Sequence, residues 1–140
     1  MDLVAVDLKI RHNDKPILYV VDHCTGFCAA AIIENKSAEA AVDGLWRAWY
    51  KAGYPVIRNV LSDNGKEFVG SSFLKLLERF ETRHLTVAPF HPASNGKCKR
   101  IHYIVDQNMQ DLKVTFPELS DEDLLSWALS AYNKMMIPGT

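Results

Sequence analysis

Apolar positions in the first quarter of the chain fall into three short runs that polar residues separate. The runs cover residues 3–10, 17–22 and 27–33, and residues 12–15 and Thr25-Gly26 connect them. Short apolar runs that are rich in β-branched residues and bounded by turn residues predict β-strands. Because both connections are short, we expect the three strands to form an antiparallel meander.

The pattern then changes from strand spacing to helical spacing. Residues 38–52 carry an apolar stripe, Ser37 can cap this segment, and Gly53 ends it. Trp46 and Trp49 lie three residues apart in it and are both predicted to pack in the core. In the rest of the chain, residues 56–61 and 84–88 are predicted to form strands, and residues 72–80 and 95–114 are predicted, approximately, to form helices. A last helix is predicted to begin at Ser120, where Asp123 completes a capping box.

A strand that follows a helix indicates a parallel crossover, so the order of elements predicts an α/β fold. We expect a five-stranded mixed sheet, in which an antiparallel meander of three strands is followed by a parallel fourth and fifth strand, flanked by helices. No repeat, low-complexity segment or linker divides residues 1–140, which predicts a single domain. The first strand begins almost at Met1 and the chain ends abruptly after a helix, so we expect a domain excised from a longer protein.

Composition and cysteine content narrow the class of protein. The net charge of −1 gives no overall attraction to nucleic acid, so any such surface must be local. No run is long and apolar enough to cross a bilayer, and we expect no membrane partner. Cys24, Cys28 and Cys98 form no Cys-x-x-Cys pair, which indicates a reduced intracellular protein with neither a disulfide framework nor a zinc site. The histidines are predicted to be structural: His12, His23 beside Cys24, His84 and His102.

Two aspartates stand where the predicted sheet would hold a site. Asp7 lies within an apolar strand, where an unpaired charge is unfavourable. Asp63 follows the fourth predicted strand and precedes Asn64-Gly65, a turn that would expose it. Each aspartate alone also fits a salt bridge or an ordinary turn. If the first and fourth strands are neighbours, however, both carboxylates can face a common cation, as in Mg²⁺ sites for phosphoryl transfer.

Several short motifs along the chain form a specific pattern when they are taken together. In order they are Val6-Asp7, Tyr19-Val20-Val21-Asp22, Ser62-Asp63-Asn64-Gly65-Lys66-Glu67-Phe68, His91-Pro92-Ala93-Ser94-Asn95-Gly96 and Ala131-Tyr132-Asn133. Together they closely resemble the catalytic core of retroviral and retrotransposon integrases. The resemblance covers nearly all of the chain. It includes the thirty-five residues between Asp63 and Lys99, the gap that such integrases keep between their second Asp and their Glu.

The resemblance implies a ribonuclease H-like fold and a polynucleotidyl transferase activity of the DDE type. Members of this family bind two Mg²⁺ or Mn²⁺ ions through Asp, Asp and Glu, process the DNA ends of their element and join them to target DNA. By position, Asp7 and Asp63 match the first two metal ligands. The resemblance further implies a homodimer and a nuclear location, or one within a virus-like particle. It places DNA contacts, partly in a flexible loop, at His91, Ser94, Asn95, Lys97 and Arg100.

Lys99 departs from the family pattern, because it stands at the position of the family's Glu. This exchange changes the local charge by two and replaces an anionic ligand by an ammonium that cannot coordinate a cation. The ammonium would pair with the aspartates and compete with the metal, so we expect weakened binding or a single ion. Asp106 lies too far along the helix to substitute, and a Glu at the position of Glu67 is usual in the resembling motif.

Positive charges crowd the predicted helix start at Ser94 or Asn95, which follows a loop over residues 89–94. Lys97, Lys99 and Arg100 are either a solvated cluster or a receptor for phosphates together with free backbone N–H groups. One turn further on, Tyr103 is predicted to contact the core rather than a nucleotide.

The residues support three hypotheses of function. The first is an integrase catalytic core that Lys99 impairs, whether by natural decay or by deliberate exchange. The second is a non-enzymatic module of the same fold that binds DNA or self-associates. The third is an active nuclease that uses Asp7 and Asp63 alone.

Overall fold

Five strands form one mixed sheet with the spatial order β3-β2-β1-β4-β5. The structure is a computed structural model that describes residues 2–11, 14–63, 65–86 and 92–136. For residues 92–97 and 136 it describes the backbone but not the side chains. β1 pairs antiparallel with β2 and parallel with β4, β2 pairs antiparallel with β3, and β4 pairs parallel with β5. The predicted mixed sheet is therefore confirmed. The strands are β1 (Val4–Arg11), β2 (Asp14–Asp22), β3 (Cys28–Ile32), β4 (Asn59–Ser62) and β5 (Arg83–Thr86).

Helices cover both faces of this sheet. One apolar cluster joins α1 and α3 to one face, and a second joins α4 and α5 to the other. No helix in the described ranges is long and apolar enough to cross a membrane. The helices are α1 (Ala38–Leu45), α2 (Lys66–Val69), α3 (Ser71–Arg79), α4 (Pro92–Thr115) and α5 (Asp121–Met136), and a π-helical segment, Trp46–Tyr50, continues α1.

The two-sided covering explains why the apolar run in β2 is nearly continuous. Leu18 and Val20 pack into the cluster beneath α1, whereas Ile17 and Tyr19 pack into the cluster beneath α4 and α5. All four are fully buried. A strand that is buried on both faces has no solvent side on which polar residues would be favoured, so alternation is lost.

Two helix starts follow the predicted capping chemistry. The Ser37 Oγ accepts a hydrogen bond from the backbone N–H of Ala40 at 3.1 Å. The Ser120 Oγ accepts one from the backbone N–H of Asp123 at 3.2 Å. Each bond satisfies a donor that the first helical turn would otherwise leave unpaired.

Two predictions of local structure were wrong in detail, and one short helix was missed. Trp49 is buried, but Trp46, the first residue of the π-helical segment, is 45% exposed, so its predicted core position is wrong. The short helix α2 was not predicted. Helix α4 begins at Pro92 instead of Asn95, since proline, whose φ is already helical, suits the first position of a helix. Residues 1, 12, 13, 64, 87–91 and 137–140, which include His12, His91 and the end of the predicted fifth strand, lie outside the described residues.

Candidate active site

The parallel pairing of β1 with β4 brings Asp7 and Asp63 to the same level of the sheet. Ala5 pairs with Leu61, and each aspartate follows its paired residue by two positions. Asp7 therefore lies within β1, while Asp63 begins the loop after β4. This adjacency is the condition under which the sequence predicted a common carboxylate site, and the structure meets it.

A tight turn after β4 holds a third carboxylate beside Asp63. The Asp63 Oδ1 accepts a hydrogen bond from the backbone N–H of Gly65 at 2.8 Å. A Cβ atom on Gly65 would lie 2.6 Å from the Glu67 Oε1 and 2.9 Å from the Asp63 Oδ1. The Glu67 side chain is buried, and within the described part of the chain its Oε2 has no hydrogen-bond partner. A side chain at position 65 would therefore have to shift the ends of both carboxylate side chains.

Burial makes the Asp7 carboxylate a weak acid. Desolvation raises its pKa from 3.8 to about 6, and repulsion from Asp63 and Glu67 adds to this rise. The backbone N–H of Leu8, which donates to the Asp7 Oδ1 at 2.9 Å, and the charge of Lys99 oppose it. Near neutral pH the aspartate is thus held as an anion at an energetic cost that a bound cation would relieve.

Helix α4 carries two side chains to these carboxylates. Lys99 and His102 lie three residues apart and line one cavity of about 440 Å³ together with Asp7 and Asp63. The His102 Nε2 lies 3.6 Å from the Asp7 Oδ2. Burial and the nearby Lys9 lower the pKa of His102 to about 4, so the imidazole is neutral at physiological pH. The site therefore combines two aspartates, one ammonium and one neutral imidazole.

The backbone at Asp63 is supported from β5. The Ser62 Oγ donates to the Asp63 carbonyl at 3.0 Å and lies 2.6 Å from the His84 Nε2. Desolvation lowers the pKa of His84, which favours the neutral ring. A neutral His84 that donates to the Ser62 oxygen leaves the hydroxyl proton free for the carbonyl.

Only some of the site residues predicted from the sequence lie together. Asp7, Asp63 and Lys99 line one cavity, whereas Arg100 is exposed on α4 and does not line it. Ser94, Asn95 and Lys97 belong to the first two turns of α4, but their side chains, like all of His91, lie outside the description. Tyr103 lines the cavity and is 68% exposed, so the predicted core contact is wrong.

Two residues of the site were missed as such from the sequence. The sequence predicts a structural role for His102, although its spacing of three residues from Lys99 indicates a shared helix face. A Glu at the position of Glu67 is usual in its motif, and no local pattern indicates that its carboxylate is buried beside Asp63. Asp106 does not line the cavity and lies 3.5 Å from the Lys9 ammonium.

The residues present fit a divalent cation only in part. Asp7 and Asp63 supply the oxygen ligands that Mg²⁺ and Mn²⁺ prefer. Lys99, which lines the cavity from α4, supplies an ammonium, which has no lone pair to donate. Among the described residues, no group of three His, Cys, Asp or Glu side chains could hold a metal ion.

A five-stranded mixed sheet with helices on both faces, with one aspartate in β1 and another directly after the parallel neighbour β4, matches the ribonuclease H-like class of α/β domains. The family model of the integrase core domain matches residues 1–92, which is most of the chain. The chain therefore belongs to the integrase core domain family. The match ends before Lys99, so the equivalence of Lys99 with the family's Glu stays a prediction.

Relatives and solved structures agree with this assignment. The Pol-related polyprotein of the mouse intracisternal A-particle MIA14 is 26% identical over 122 residues, which are 84% of this chain and 14% of that protein. This chain thus spans about a seventh of that relative. A chain of the simian T-cell lymphotropic virus intasome, in complex with PP2A regulatory subunit B56 gamma, superposes with a TM-score of 0.83 and 23% sequence identity. The superposition covers 94% of this chain and 48% of that chain. The HTLV-2 integrase catalytic core domain in complex with magnesium superposes with a TM-score of 0.79 and 17% sequence identity, over 98% of this chain and 89% of that chain.

Proposed function

We propose that this domain is a retroelement integrase catalytic core for DNA end processing and strand transfer, and that Lys99 impairs its chemistry. The observation that carries the proposal is the shared cavity of Asp7, Asp63 and Lys99. Its aspartates fit a transferase site, and its lysine stands where the family pattern requires a third carboxylate.

Asp7 and Asp63 would hold Mg²⁺ or Mn²⁺ through their carboxylate oxygens. When bound, such ions activate an attacking oxygen and stabilise a leaving one in phosphoryl transfer. The charge of Lys99 lowers the pKa of Asp7 and so already satisfies part of the demand for a cation at this carboxylate. Lys99 therefore competes with the metal for the same negative charge, and a pair of ions would lack its third carboxylate.

DNA is the partner that this chemistry requires. Arg100 is exposed beside the cavity, and Ser94, Asn95 and Lys97 share its helix. We expect them, with His91, to contact phosphates of element ends and target DNA. We further propose that the domain acts in the nucleus or in a virus-like particle, and that it forms a homodimer. The homodimer is supported by the related HTLV-2 core domain, which has dimeric and trimeric forms.

The test is restoration of the missing carboxylate. The 140-residue chain and its Lys99→Glu variant are assayed for strand transfer and disintegration with Mg²⁺ and with Mn²⁺. We expect an inert parent and a gain of about 10²-fold or more in Lys99→Glu, the usual size of effect for a lost charge-stabilising group. Lys99→Gln, which removes the charge without adding a ligand, is the matched control and should stay inert. Asp63→Asn should abolish the restored activity.

Activity in the parent chain that Asp63→Asn abolishes would refute the impairment and support a nuclease with two carboxylates. Inertness of both proteins, with folding verified by circular dichroism, would refute the catalytic proposal.

A non-enzymatic binding module is the second candidate function. Phe116 and Trp127 form an edge-to-face pair at 5.4 Å and are 39% and 49% exposed, and Val114 nearby is 85% exposed. Exposed apolar clusters of this kind mark interaction surfaces. A DNA affinity or a dimer that persists while Lys99→Glu stays inert would favour this function, as measured by fluorescence anisotropy and analytical ultracentrifugation.

A further inference from the structure

Tyr103 on α4 is a large aromatic residue whose position the packing of the domain does not explain. It is 68% exposed, more than any other aromatic residue in the described part of the chain. The other tyrosines contact a second ring or donate a hydrogen bond to the backbone: Tyr19, Tyr50, Tyr54 and Tyr132. Their rings contribute to the fold, whereas an exposed ring at the wall of a cavity is typical of a binding surface.

A second exposed apolar side chain lines the same cavity of about 440 Å³. Ile10, near the end of β1, is 57% exposed and lines the cavity together with Tyr103. Single apolar residues at a surface need no explanation. Two of them at one cavity, beside the Asp7 and Asp63 carboxylates, form an apolar surface next to the position where a reacting phosphate would lie.

Cations beside this apolar surface fit the backbone of a nucleic acid. Lys99 lines the cavity four residues before Tyr103, and Arg100 is exposed three residues before it, so both share the face of α4 on which Tyr103 lies. Such cations neutralise phosphates, whereas the flat face of a base stacks on aromatic and apolar side chains. A nucleotide satisfies both kinds of group. An apolar protein surface would bury the cations without a partner, which is unfavourable.

We propose that Tyr103, together with Ile10, stacks on the face of an unpaired DNA base, so that the domain binds DNA with unpaired nucleotides in preference to fully paired DNA. The inference deepens the proposed function and rests on it in one respect, that DNA is the partner. Inside a duplex, neighbouring base pairs cover both faces of each base. An unpaired nucleotide frees one face for a side chain, and the cavity places that base beside the carboxylates.

The test compares two DNA duplexes that differ only in whether the last two nucleotides of one strand are paired. Fluorescence anisotropy of the 140-residue chain, with a chelator present, measures both affinities without metal or catalysis, for 3′ and for 5′ overhangs. The paired duplex carries more phosphates, so charge alone would favour it. We expect one of the overhangs to bind about tenfold more tightly than the paired duplex, a typical effect of one stacked base. Tyr103→Ala should remove this preference, and Tyr103→Phe, which keeps the ring, should retain it.

Three control variants separate stacking from other contacts. Arg100→Gln removes a predicted phosphate contact, so it should weaken both duplexes by a similar factor and leave their ratio unchanged. Phe116→Ala removes an exposed ring that does not line the cavity, and the ratio should again be unchanged. Ile10→Thr keeps a β-branched residue in β1 and should reduce the preference two- to threefold.

A base analogue gives a direct readout of stacking. With 2-aminopurine as an unpaired nucleotide of the preferred overhang, a ring that stacks on it lowers its fluorescence. We expect this decrease with the parent chain and with Tyr103→Phe, and no decrease with Tyr103→Ala.

Equal affinities of the parent for paired and overhanging DNA would overturn the inference, as would a preference that persists in Tyr103→Ala. A dimer that Tyr103→Ala dissociates in analytical ultracentrifugation, with an unchanged preference for overhangs, would assign the ring to a contact between two copies of the chain. Should Tyr103→Ala fail to fold, the two affinities of the parent and the 2-aminopurine signal still decide. Failure here is distinguishable from failure of the proposed function: equal affinities leave restored strand transfer by Lys99→Glu intact, and an inert Lys99→Glu variant leaves the preference intact.

Discussion

Replacing Asp7 by asparagine is expected to stabilise the metal-free domain at neutral pH, although it removes a predicted metal ligand. The pKa of Asp7 rises from 3.8 to about 6, mainly through burial, so its ionised form is disfavoured in the folded state. At about 1.4 kcal/mol per pKa unit, the corresponding free energy is about 3 kcal/mol. Because the side chain keeps 30% of its exposure, we expect water to reduce the gain to about 2 kcal/mol.

The sign of the pH dependence follows from the direction of the shift. Below pH 3.8 the carboxyl is protonated in both the folded and the unfolded chain, and the two proteins should be about equally stable. As the pH rises from about 4 to about 6, the unfolded chain releases this proton more readily, and the parent loses stability relative to Asp7→Asn. The full gain is present above pH 6. The Leu8 N–H can still donate to the amide oxygen of asparagine, but this bond is weaker than the one to the carboxylate and reduces the gain.

Urea unfolding of both proteins at pH 4, 5, 6 and 8, with a chelator present, measures this difference. A gain of about 2 kcal/mol corresponds to a rise in Tm of roughly 8 °C for a domain of this size. Asp111→Asn, which changes an exposed carboxylate on α4, is the matched control and should alter stability little at any pH. A destabilised Asp7→Asn at pH 8, or a gain of equal size at pH 4 and pH 8, would refute the reasoning.

Three further predictions concern the scaffold that holds the site. Ser37→Ala removes the cap of α1 and should lower the free energy of unfolding by about 1 kcal/mol in urea titrations. Asn133→Asp should cost about 2 kcal/mol, because the Asn133 amide both accepts from the Cys28 N–H and donates to the Cys28 carbonyl at 2.9 Å, and a carboxylate cannot donate. Gly44→Ala should cost about 1–3 kcal/mol in thermal unfolding, because its Cβ would lie 2.6 Å from the Ile33 Cγ2.

Matched controls separate these effects from those of substitution alone. Ser126→Ala changes an exposed serine inside α5 and should be neutral or slightly stabilising, since alanine favours a helix. Equal losses in Ser37→Ala and Ser126→Ala would argue against the cap. An unchanged Tm in Gly44→Ala would show that Ile33 moves aside freely, and an unchanged Asn133→Asp would show that the edge of β3 does not depend on the amide.

The sequence by itself determined the order and type of the main elements. Hydrophobic runs, turn residues and helix caps favour a strand, a turn or a helix through interactions between residues that are close in sequence. The continuous apolar run of β2 and the caps at Ser37 and Ser120 were therefore readable before any contact was known. The motifs around Asp7 and Asp63 likewise carried the family resemblance, because chemistry fixes the type of residue at these positions.

Only the tertiary structure decided which side chains share the site. Asp7 and Asp63 meet because β1 pairs with β4, a contact between segments far apart in sequence. The burial of the His102 nitrogen beside Asp7, and the exposure of Tyr103 one residue later, depend on how α4 rotates against the sheet. Helical spacing shows which residues share a face, but not which neighbour that face meets. That neighbour is set by long-range packing, and it made a histidine taken as structural part of the candidate site.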